Sequence, residues 1–184
     1  CAFPDEGSTS RFVTRPEART KNKWFDTGVI PGADTYQLLG LEGALNMGSL
    51  SIVGELQTVR VHRAPASDLC FGGGYVYVAY WLTGESTSWK RSSGTINRTT
   101  PNNNFFLMRD GDGAGAWQAA VRFSHGDFSD DDIYGGVGDS VTLGLNWWWN
   151  PHAHMQLNYI NGQIDERVIG GIAATSGHYN IFGT

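Results

Sequence analysis

The chain has 184 residues, enough for one domain with a sizeable core, and its 25 glycines, 7 tryptophans, 7 tyrosines and 9 phenylalanines describe turns and aromatic strands better than helices. Its 13 basic and 18 acidic residues leave a net charge of -5, which excludes a nucleic-acid surface built on general phosphate attraction. No apolar run approaches the ~20 residues of a spanning helix and no N-terminal stretch has the pattern of a secretory signal, but spanning strands alternate and leave little trace in average hydropathy.

The chain opens on Cys1 without a Met, so the sequence is read as processed or a fragment, and a lipid-bearing lipoprotein start is one option. Cys1 and Cys70 are too few for a disulfide framework; they could pair or be unrelated thiols. Residues 10–16 form a weak strand candidate in which Arg11 and Arg15, four apart, share a face. A polar loop over 17–34 leads to a second weak candidate, 36–46, and a tight turn at 46–49.

Beyond that turn Leu50, Ile52, Gly54 and Leu56 alternate with Ser51, Val53, Glu55 and Gln57. A loop over 63–70 follows, and then Val76, Val78, Tyr80 and Leu82 stand opposite Tyr75, Tyr77, Ala79 and Trp81. Residues 86–115 are a long connection, and a linker of that length in a compact domain usually has a task or is disordered. Within it "DGDGAG" (110–115) lacks the third acidic ligand and the terminal Glu of a calcium loop and reads as a turn.

From 116 to 125, Trp117, Ala119, Val121 and Phe123 form an apolar face against Gln118, Ala120, Arg122 and Ser124. Residues 126–139, with "FSDDD", read as a polar loop that is either solvated or a binder of divalent cations bridging lipopolysaccharide. In the strand 140–150, Val141, Leu143, Leu145, Trp147 and Trp149 oppose Ser140, Thr142, Gly144, Asn146 and Trp148. An Asn150-Pro151 turn then returns the chain through Met155, Leu157 and Tyr159 in an antiparallel hairpin. A loop over 165–177 and a weak strand over 178–184 complete eight predicted strands. His152 and His154, two apart at the turn, could hold zinc only with outside ligands, so no metal site and no cofactor is assigned; no catalytic set has support beyond chance.

Long and short connections alternate, as they do between the two sides of an outer-membrane barrel, and strands of about ten residues tilted by roughly 45° span the apolar band of such a barrel. The expected fold is therefore all-β, an antiparallel transmembrane β-barrel. Trp147 and Trp149 then lie on the lipid side at an aromatic girdle with Trp117, Tyr159 falls in the opposite girdle, and Trp148 points into the lumen. Arg60 and His62 share the outward side and are expected at lipid headgroups. The alternative is a secreted β-sandwich carbohydrate-binding module that stacks sugars on Trp and Tyr, with the Val141-Leu143-Leu145 face sealed against a second sheet. A third option, an adhesin or protease barrel, lacks clustered catalytic residues.

"RFVTRPEART" (11–20), "FDTG" (25–28), "YWLTGE" (80–85), "GAWQAAVRFSHGDFSDDD" (115–132) and "VTLGLNWWWNPHAHMQLNY" (141–159) resemble, in this order, the C-terminal half of the phosphate-selective porin O and P family. The resemblance implies about 8 strands of a 16-stranded porin, with residues 1–184 forming the C-terminal half of one barrel. It also implies the outer membrane of a Gram-negative-type bacterium, contact with membrane lipid and lipopolysaccharide, a homotrimer at full length, and diffusion of small anions such as phosphate or polyphosphate; it implies neither an enzyme nor a nucleic-acid partner. The family carries lumenal arginines along the strand of Arg11 and Arg15, although Val13 stands where a continuous ladder would carry another. Pore-lining candidates are Arg11, Arg15 and Arg122 with Gln118, Ser124 and Asn146; for each arginine the plainer reading is a wall residue paired with a carboxylate. The long connection 86–115 corresponds to a turn that folds toward the pore, where Lys90, Arg91, Arg98 and Arg109 would form a basic collar or simply a solvated charged loop. Glu55 points inward and would repel an anion unless paired.

Overall fold

A computed structural model describes residues 8–18, 21, 23–107, 111–169 and 172–183. Its strands are β1 (Thr9–Ser10), β2 (Ile30–Pro31), β3 (Ala33–Met47), β4 (Leu50–Arg63), β5 (Leu69–Trp81), β6 (Trp89–Lys90), β7 (Thr95–Ile96), β8 (Ala116–Asp130), β9 (Ile133–Asn150), β10 (Ala153–Ile169) and β11 (Ile172–Gly183). Seven of them form one antiparallel meander in the order β3-β4-β5-β8-β9-β10-β11, with β3 and β11 as open edges. The fold is all-β, and the sheet is not closed.

Alternation decides the two faces. Register aligns Leu41 with Leu56, Val121 with Leu143, and Leu143 with Tyr159, so apolar residues of neighbouring strands line up on one side. Among the described residues no second sheet covers that side: Leu41 (70%), Leu56 (62%), Val121 (44%), Val141 (40%) and Leu143 (52%) are open to the surroundings. The sandwich expectation fails on this point. The bare apolar run from Val141 to Trp149 rises about 20 Å at the usual tilt, near the ~25 Å apolar band of an outer-membrane barrel. It is bounded beyond Val141 by polar pairs on the same side, His125–Asp139 at 2.8 Å and Arg60–Asp68 at 3.1 Å, with His62 also on Asp68.

The other, inner face is covered at the end remote from the tryptophans. Residues 8–31 fold back over it, with Thr14 N–H bonding Phe25 O at 3.0 Å and Thr27 N–H bonding Phe12 O at 3.1 Å. Between this segment, which contributes Ile30 and Phe12, and the sheet, Ala33, Val59, Val61, Leu69, Phe71 and Ile133 complete the buried cluster, with Tyr36 and Phe128 packed against it. Gly126 makes the approach possible, since a Cβ there would lie 2.8 Å from the Phe25 ring.

Two expectations change here. Residues 10–16 are not a strand of the main sheet; only Thr9–Ser10 pairs, with Ile30–Pro31, and Val13 makes one bridge to Asp26. The regions read as long loops over 126–139 and 165–177 are mostly strand: β8 and β9 are joined by Asp131 and Asp132 alone, and β10 continues to Ile169. Asp, Ser and Gly have weak strand propensity, but a ladder already set by the apolar stretches carries them along. Tyr159 sits opposite Leu143, one outward pair from Val141 in the half of the apolar run away from the tryptophans, and its hydroxyl donates to Asn180 at 2.8 Å.

Candidate functional site

The middle of the inner face is built by β5, β8 and β9. Register places Arg122 between Tyr77 and Thr142, and Ser124 between Tyr75 and Ser140. The Arg122 guanidinium lies 3.8 Å from the centroid of the Tyr75 ring, which backs its plane, and its Nε donates to Ser124 Oγ at 2.9 Å. Onto this patch the covering segment lowers one side chain, Glu17. Its Oε1 lies 3.1 Å from Arg122 Nε and accepts from Ser124 at 2.5 Å and Ser140 at 3.2 Å, while Oε2 accepts from Thr142. Arg122 and Ser124 thus lie side by side on the inner face, and the partner of Arg122 is a carboxylate, the plainer of the two readings of this arginine.

Arg11 and Arg15 part company. Arg11 grips Asp26 at two points, Nε to Oδ1 at 2.8 Å and Nη2 to Oδ2 at 2.6 Å, a fork that ties the two arms of the covering segment. These bonds hold the Asp26 carboxyl below its ordinary range. Arg15 has no ion pair among the described residues and lines a cavity of about 500 Å³ between the segment and the sheet. The same cavity is lined by Arg122, Ser124, Ser140, Tyr179 and Glu55. Glu55 stands opposite Glu42 in register and accepts a bond from Gln57.

Gln118 and Asn146 lie nearer the tryptophan end and bond each other at 3.0 Å, outside that cavity. The long connection begins on the inner face: Trp81 is 2% exposed and donates to Thr87 at 3.0 Å, and buried Glu85 accepts from the Asn102 backbone at 3.0 Å. Its later part packs on the bare side, where Phe105 meets Trp147 at 4.8 Å. The three described collar residues are not gathered: Lys90 and Arg91 are exposed at the β6–β7 hairpin, Arg98 is 3.4 Å from His152, and none lines the cavity. Arg109 and Cys1 lie outside the described residues; Cys70 is a free, exposed thiol.

Trp117, Trp147 and Trp149 do cluster on the bare face, with stacked rings 4.6 Å apart for the first pair and an edge contact at 5.5 Å for the second. Both Trp117 and Trp147 donate their indole N–H to Ala114 O. Trp148 turns to the inner face and packs on Trp81 at 4.8 Å and His154 at 5.4 Å.

Glu17 and Thr142 were not singled out from sequence. Thr142 shares the parity of Ser124, which is a usable signal. Glu17 has none, because its partners are 105 to 125 residues away and its own stretch reads as a loop.

Residues 6–168 match the family described as phosphate-selective porin O and P. A Pseudomonas aeruginosa protein named Porin O is 28% identical over 138 residues, covering 69% of this chain and 30% of that protein. An uncharacterized protein of Caulobacter vibrioides is 28% identical over 151 residues, covering 82% of this chain and 29% of the relative. The chain therefore spans less than a third of the length of either relative. With a match that extends over most of its length, the chain belongs to the phosphate-selective porin O and P family.

Proposed function

We propose that this sheet is part of the wall of an outer-membrane channel that passes small anions, phosphate among them. The observation that carries the reading is the pairing of two unlike faces on one meander. One is apolar and open over most of its height, with indoles clustered at one end; the other is polar and carries Arg122 toward a cavity that Arg15 of the covering segment also lines. A soluble protein rarely leaves so broad an apolar surface in water, whereas hydrocarbon covers it without cost. The open edges of β3 and β11 leave backbone N–H and C=O groups unpaired, so the working barrel needs further strands. Residues 1–184 act in this reading as the C-terminal half of one barrel that the remaining strands close, and the closed barrel assembles as a trimer in contact with lipopolysaccharide.

An anion entering a narrow lumen sheds part of its water, and a guanidinium offers two parallel donors at fixed charge. Arg15, unpaired among the described residues, is the first such group on the cavity wall. Glu42 and Glu55 oppose it, so selectivity rests on which sign dominates at the narrowest point. Reversal potentials of the full-length protein in planar bilayers decide the matter: chloride and phosphate should permeate better than potassium. A cation preference would sink the reading while leaving the barrel intact.

A further inference from the structure

Three hydroxyl donors and one guanidinium converge on one carboxylate at the inner face, more than a simple tether requires. A surface ion pair holding a segment in place needs one cation and gains little from it. Here Arg122 is joined by Ser124, Ser140 and Thr142, set by the β8–β9 register at neighbouring inward positions, and all of them point at Glu17. A cation flanked by hydroxyls is what binds an oxyanion, whether the oxygens belong to a carboxylate or a phosphate. The Arg122 side chain remains 37% exposed and lines the cavity, so a solute there can reach it.

We propose that Arg122, Ser124, Ser140 and Thr142 form an oxyanion-binding site on the channel wall, and that Glu17 is a tethered carboxylate which occupies it until a passing phosphate displaces it. This rests on the anion-channel reading above and adds to it a built-in competitor. With Glu17 in place the cradle is neutral; with Glu17 withdrawn it carries one positive charge and three released hydroxyl donors. Withdrawal does not require the covering segment to unfold. Among the described residues the backbone bonds between its arms end at Thr14 and Trp24, and Glu17 lies on the tip beyond them. Because the competitor is attached to the chain its local concentration is high, so it weakens phosphate binding and shortens residence, which a channel needs if the ion is to leave.

The test is block of chloride current by inorganic phosphate on the full-length protein in planar bilayers. Glu17→Gln keeps the shape and removes the charge, and should lower the half-blocking phosphate concentration about tenfold, the scale of one charge-assisted hydrogen bond. Adding Thr142→Val to Glu17→Gln should cancel most of that gain. Glu17→Asp, which keeps the charge but pulls it back by one methylene, should move block in the same direction by a smaller factor and serves if the first variant does not insert. Unchanged or weaker block in Glu17→Gln and Glu17→Asp would overturn the proposal, as would a gain that survives Thr142→Val, since the effect would then come from loosening the segment. Wild-type reversal potentials separate the two readings: an anion-selective channel whose block ignores Glu17 refutes only the cradle, and a cation-selective one refutes both.

Discussion

Trp147 and Trp148 are neighbours in the chain and belong to different surroundings. The first joins an indole cluster on the bare face, the second packs on Trp81 against the inner wall. The same division holds along the whole sheet and shows how little of the stability of such a wall lies in a shared core. The dry cluster is confined to one end of the inner face, against the covering segment, and among the described residues the opposite face is packed on only at its tryptophan end, by the loop of Phe105. For a sheet of this kind the solvent is part of the fold, because hydrocarbon takes the place that a second layer takes in a sandwich.

The contrast is broken most directly by an arginine placed on either side of one strand. Val121→Arg, in the middle of the bare face, should cost about 2–4 kcal/mol of membrane-folding stability, read from detergent or lipid refolding yields. Ala120→Arg, one residue away on the inner face, should refold like the parent and raise anion preference. Equal behaviour of the two would mean that the faces are not solvated differently.

A smaller effect is expected at the indole cluster. Trp117→Phe loses the N–H bond to Ala114 and part of the stack on Trp147, about 1 kcal/mol, measurable as a lower denaturant midpoint. Within the inner face, Asp26→Asn should loosen the covering segment only slightly, since Arg11 is half exposed, and speed proteolysis of that segment. The pH dependence has a fixed sign. Asp26 is depressed in the folded state, so its contribution is full above the ordinary carboxylate range near ~3.9 and is lost as pH falls through its lower folded value. The wild type should therefore match Asp26→Asn only at strongly acidic pH. Least of all, Glu55→Gln should shift the permeability ratio toward anions by about twofold, the effect of one screened lumenal charge.

Much of the wall was legible because its signal is local. Period-two alternation over 140–150 and 116–125 assigned Val121, Leu143 and Trp147 to one side and Arg122, Ser124 and Trp148 to the other, and the register keeps them there. The ends of the strands were less legible, since Gly, Asp and Ser over 126–139 imitate a loop when read alone. Arg11 and Arg15 show the limit most clearly. Their spacing gave one face of a strand, but the segment is not in the sheet, and one arginine is bound to Asp26 while the other faces the cavity.

What the chain's own order of residues determined is the division of each strand into an apolar and a polar side, a consequence of backbone geometry that needs no distant partner. Only the tertiary structure decided what lies over each side. Whether 8–31 runs along the wall or folds across it, and whether Arg122 meets a solute or Glu17, depends on contacts between residues more than a hundred positions apart, for which a single sequence carries no periodic signal.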